Sequence, residues 1–72
     1  MTTWTPPADL IDAYVEGRTD FPTDPQQLGP VIHACTPEQR SRLRRRIGIE
    51  MSLADFGDLW SRAVTFANRL DG

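Results

Sequence analysis

Three times in this chain a capping residue is followed at once by proline: Thr5-Pro6, Asp24-Pro25 and Thr36-Pro37. Proline suits the first position of a helix, where its missing N–H would lack an intrahelical partner anyway, and Thr or Asp just before it can cap the exposed amides. Each pair therefore predicts a helix start. Ser52-Leu53-Ala54-Asp55 supplies a fourth start without proline. No strand-like alternation, internal repeat or low-complexity segment appears between them. The pattern predicts an all-α fold, a small compact bundle of about four helices, with residues 1–72 as a single domain.

The extents follow from the stops. The first helix is predicted over 6–16, with Leu10, Ile11, Tyr14 and Val15 as its buried stripe and Gly17 as the left-handed stop. Trp4, just ahead of the cap, is expected to fold back on that stripe. The second is predicted over 25–35, carrying Leu28, Val31, Ile32 and Cys35, and kinked or broken at Gly29-Pro30. The third is predicted over 37–47, with Gln39 as the reciprocal partner of a capping box and Gly48 as its end. The fourth is predicted over 53–70.

That last helix repeats Leu53, Phe56, Trp60, Ala63, Ala67 and Leu70 at three- and four-residue steps, a coiled-coil-like seam. Leu59, Val64 and Phe66 widen it to an arc of roughly 160°, against roughly 100° for an ordinary surface helix. The arc has two readings. In one, the helix is the spine of the bundle and buries both flanks. In the other, Leu59 and Phe66 form a dimer or partner surface. The expected core is Trp4, Leu10, Ile11, Tyr14, Val15, Leu28, Val31, Ile32, Cys35, Leu43, Ile47, Leu53, Phe56, Trp60, Val64, Ala67 and Leu70.

A chain of 72 residues buries a small share of its surface, so such domains lean on cross-links, metals, association or very good packing. Cys35 is the one cysteine, which excludes a disulfide within the chain. Homodimerisation or tight helix packing remain.

The charge is unevenly placed. Residues 1–39 hold one Arg against six acids, and residues 40–72 hold seven Arg against four acids, although the whole chain is net −2. Arg40, Arg42, Arg44, Arg45 and Arg46 crowd into seven positions, and there is no lysine. On a helix, Leu43 and Ile47 share one face, Arg40, Arg44 and Arg46 border it, and Arg42 and Arg45 point away. These five arginines are the candidate binding residues. Two ligands compete: an acidic protein surface, or nucleic acid with the arginines on phosphates. A third reading is a solvated face balanced by Asp9, Asp12 and Glu16 on the first helix. A helix-turn-helix outline exists around Gly48, but its recognition helix would begin with Asp55 and Asp58, against a phosphate-lined groove. The acidic balance of the chain favours the protein partner.

Catalytic and metal chemistry are not indicated. His33 and Cys35 are the sole His and Cys, too few for a zinc site, and they read as partly buried core residues. Asp9 with Asp12, and Asp55 with Asp58, read as carboxylates near helix starts, where the dipole favours them. No glycine-rich phosphate loop or Ser-His-Asp set appears. The expectation is no enzyme, no cofactor and no metal. The N-terminus lacks a basic and an apolar region, so no signal peptide is expected, and no apolar run is long enough for a membrane. The chain reads as a soluble, cytoplasmic, bacterial or phage regulatory module that binds an acidic partner through the arginine helix, with homodimerisation through the last helix as a further expectation. The alternative is a nucleic-acid-binding regulator.

Overall fold

The computed structural model describes residues 5–71, with side chains over 5–70. Four helices follow one another: α1 (Ala8–Glu16), α2 (Pro25–Ala34), α3 (Pro37–Glu50) and α4 (Leu53–Asp71). The expected position of Trp4 lies outside the described residues.

Local chemistry accounts for each boundary. Asp24 caps α2, its Oδ1 accepting from the Gln26 amide at 2.9 Å, with Pro25 opening the helix. Thr36 and Gln39 form the expected capping box at α3: the Gln39 amide donates to Thr36 Oγ1 at 3.2 Å and the Thr36 amide to Gln39 Oε1 at 2.9 Å. Ser52 caps α4 with its side chain, Oγ accepting from the Asp55 amide at 3.3 Å. Gly17 ends α1 with φ of 80°, the left-handed stop its position predicts.

Three boundaries differ from the sequence reading. α1 begins at Ala8, two residues late, because Pro7 holds Pro6 away from helical backbone. Pro7 itself sits at the cap position with ψ of 150°, and its carbonyl accepts from the Leu10 and Ile11 amides. Thr5 is therefore not the cap. α2 runs through Gly29-Pro30 as one helix, with Pro30 buried inside it. The helix forgoes one backbone bond there, since Pro30 has no N–H to donate. α3 continues past Gly48 to Glu50, since Gly48 does not take the positive φ a stop requires.

The core is built chiefly by α2 against α4, while α1 packs on α3 and α3 touches α4. Leu28, Val31, Ile32, Leu43, Ile47 and Ala63 are fully shielded, and Ile11, Tyr14, Cys35, Leu59 and Ala67 are nearly so. At the tightest point Gly29 meets α4: a Cβ built there would lie 2.6 Å from the Phe66 Cβ and 3.2 Å from the Ala63 carbonyl oxygen. Small residues on both helices permit this approach.

That crossing sets which face of α4 is central. Leu59 and Ala63 are buried, although Leu59 was a candidate for a contact surface and neither stood in the expected core. Leu53, expected inside, is 86% exposed. The reason is length. At 1.5 Å per residue, the ten residues of α2 span about 15 Å and the nineteen of α4 about 28 Å. The start of α2 lies beside the second half of α4, where Asp24, Pro25 and Gln26 face Arg62, Phe66 and Arg69. The first turn of α4 therefore lies outside the layer that α2 covers. Leu10, Val15, Phe56, Trp60, Val64 and Leu70 are partly buried, and the Phe56 and Trp60 rings stack at 5.9 Å.

Candidate partner-binding site

The five arginines of α3 divide by what they touch. Arg46 is half-buried. Its Nη1 donates to the Tyr14 carbonyl at 2.7 Å, its Nε faces Glu50 Oε2 at 3.4 Å, and its guanidinium lies 5.0 Å from the centre of the Phe21 ring. It thus satisfies a carbonyl in the last turn of α1, where the helix dipole favours a cation, and pins the loop that follows. Arg40 reaches back to donate to the Ile32 carbonyl at 3.1 Å, near the end of α2. Arg42 pairs with Glu38 one turn earlier, at 3.0 Å. An exposed pair of this kind contributes little to stability, but it neutralises Arg42 locally.

Arg44 and Arg45 remain. Both are exposed, and among the described residues neither has a charged or hydrogen-bonding partner. This alters the sequence reading in two places. Arg42, expected to be free, is engaged. Arg44, expected to border the core face, is exposed and lines a groove with Phe56.

The acids of α1 do not neutralise the run. Asp12 accepts from Gln39 Nε2 at 3.3 Å, and Glu16 pairs with Arg18 at 2.8 Å. They line a crevice between α1 and α3 with Glu38 and Arg42.

Arg44 and Arg45 line an open groove of about 500 Å³ with Ser41, Gly48 and Phe56. α3 supplies the cations and the bare backbone of Gly48, and α4 supplies the Phe56 ring as an apolar wall. Ile49 sits one turn beyond Arg45 on the same face of α3, and Leu53 one turn before Phe56 on α4. These two are the exposed large hydrophobic residues among those described, at 78% and 86%. The sequence reading named neither as a surface residue. Ile49 carried a signal all the same, as an apolar residue off the Leu43–Ile47 face.

A second groove, of about 420 Å³, joins the start of α2 to the second half of α4. Phe66 lies half-buried in it under Arg69, whose guanidinium is 5.6 Å from the ring centre. Phe66 and Leu59 thus do not form one exposed surface, since Leu59 is 5% exposed.

Burial pushes the Cys35 thiol up from its ordinary value, and the nearby Arg40 charge opposes this only in part. Such a thiol is a packing group rather than a nucleophile. Among the described residues no three potential metal ligands come together, and no helix is long and apolar enough to cross a membrane. Comparison with protein-family models, with curated proteins and with solved structures gave no match to this chain.

Proposed function

We propose that this chain is a non-enzymatic, cytoplasmic interaction module that binds an acidic surface of a partner protein through Arg44 and Arg45 on α3. The observation that carries this reading is the division among the arginines. Arg46 and Arg40 are committed to backbone carbonyls of other helices and Arg42 to Glu38. The two left over stand together beside an apolar wall. An arginine cluster poised for the phosphate backbone would place more of its charges outward, because affinity for a polyanion grows with each phosphate met. Two cations beside the Phe56 wall, with Ile49 exposed one turn beyond Arg45, suit a protein surface that mixes carboxylates with apolar groups.

Equilibrium binding to a labelled polyglutamate chain, a labelled DNA duplex and a labelled single strand, each across a salt series, tests the reading. Polyglutamate is expected to bind weakly, with affinity falling as salt rises and lost in the R44E/R45E variant. Duplex binding with a log–log salt slope of about −4, from about −0.9 per phosphate contact, together with no binding of polyglutamate, overturns it in favour of the nucleic-acid regulator.

A further inference from the structure

The groove between α3 and the first turns of α4 has features beyond its charge. Gly48 lies inside α3 with an ordinary helical backbone. Glycine there costs the helix about 1 kcal/mol relative to alanine. No packing constraint demands it: a Cβ would meet the Phe56 ring at 3.9 Å, an ordinary contact. What the missing side chain does is leave the Phe56 ring open to the groove between the two helices. The resulting space, about 500 Å³, exceeds the roughly 150 Å³ in which a benzene ring can be held. Arg44 and Arg45 line it on the α3 side; the exposed Ile49 follows Arg45 by one turn and the exposed Leu53 precedes Phe56 by one turn.

Building on the reading that an acidic protein is the partner, we infer that this groove receives an amphipathic acidic segment, one large apolar side chain lying on Phe56 over Gly48 and carboxylates meeting Arg44 and Arg45. Charge complementarity selects the occupant. Two unpaired guanidinium groups at an apolar opening favour carboxylates carried next to a leucine or phenylalanine. Nucleic-acid phosphate satisfies the cations but gives Ile49 and Leu53 nothing apolar to cover. In a second copy the acids beside the α1–α3 crevice, Asp12, Glu16 and Glu38, are already engaged by Gln39, Arg18 and Arg42 and would have to exchange those contacts.

Three labelled helical peptides of equal length separate the contributions in fluorescence anisotropy. The first carries Glu and Asp around two leucines four residues apart. The second has serine for each leucine, and the third has glutamine and asparagine for the acids. The first is expected to bind, with each of the others weaker by about tenfold or more. Gly48→Leu fills the groove at an exposed helical position, where a helix-forming residue is tolerated. It is expected to leave the circular-dichroism melt intact or raised, abolish binding of the first peptide, and leave the weak polyglutamate binding in place. The R44E/R45E pair, on the exposed face, should remove both.

Equal binding of the leucine and serine peptides, or full binding by a folded Gly48→Leu, overturns the groove assignment while the acidic-partner reading stands. Failure of every acidic probe overturns both. A concentration-dependent doubling of mass that Gly48→Leu removes would make a second copy the occupant and overturn the assignment likewise.

Discussion

The guanidinium of Arg46 donates to the backbone carbonyl of Tyr14 across a separation of 32 residues, at 2.7 Å. This single contact joins the end of α1 to the middle of α3, and the same side chain lies over Phe21 in the intervening loop. A charged donor on a part-buried carbonyl contributes about 1.5–3 kcal/mol. Arg46→Ala is therefore expected to lower stability by about 2 kcal/mol and Tm by roughly 10 °C in a domain of this size. Arg45→Ala should stay within about 0.5 kcal/mol. Arg46→Lys should recover little, since an ammonium cannot lie flat on Phe21 and serve the Tyr14 carbonyl through a fork. Thermal melts of the three variants check this, and equal Tm for Arg46→Ala and Arg45→Ala would refute it.

Gly29 and Gly57 make opposite predictions. Both are helical, so alanine is intrinsically better by about 1 kcal/mol at each. At Gly57 nothing lies within 4 Å of an added Cβ, and Gly57→Ala should stabilise by about that amount. At Gly29 the Cβ would collide with α4, partly with its backbone. Gly29→Ala should destabilise by about 1–3 kcal/mol. Urea unfolding of the two variants reads the contrast directly.

The capping box of α3 is shared with α1. Thr36→Ala removes the cap and should cost about 1 kcal/mol. Gln39→Ala removes both the reciprocal cap and the Gln39 Nε2 to Asp12 contact. Because the two residues complete one motif, the double variant should lose less than the sum of the singles. Strict additivity in denaturant unfolding would show that the box does not act as a unit.

Cys35 gives a pH prediction. Burial raises its pKa above the ordinary 9.0, so the folded chain favours the neutral thiol more than the unfolded chain does. Stability from this source is complete below the unfolded pKa and is lost as pH rises through the folded one. The chain should keep constant stability from this group at neutral pH and lose it progressively above about pH 9. Iodoacetamide should label the native protein far more slowly than the urea-unfolded chain. Cys35→Ala should remove the thiol's share of the alkaline decline, and an unchanged decline would assign it elsewhere.

Much of the fold was legible because helix starts are written locally. Asp24, Thr36 and Ser52 cap the helices their spacing predicts, and Gly17 stops the first. Thr5 misled because its signal was overridden one step later: Pro7 constrains Pro6, which a single cap-plus-proline rule does not register. Gly48 misled because glycine ends a helix only where a positive φ is needed, and that depends on where the chain must go next. The phase of α4 was not legible at all within its broad apolar arc. Leu59 and Leu53 are equally apolar, and what separates them is the reach of α2 and the close approach at Gly29, both tertiary facts. The arginine run was conspicuous in the sequence, but its partition was not. Which guanidinium meets Tyr14, Ile32 or Glu38 depends on how α1 and α2 lie against α3.

The shortness of α2 has a consequence for how this molecule can vary. Near the α3–α4 turn, Ile49 and Leu53 carry large apolar side chains that the bundle leaves uncovered. Substitutions at Ile49 or Leu53 are thus felt by whatever the surface meets and hardly by the bundle beneath. The two positions on either side of that turn are thus free to change in size or polarity while Leu28, Leu43, Ile47 and Ala63 keep the packing beneath them constant.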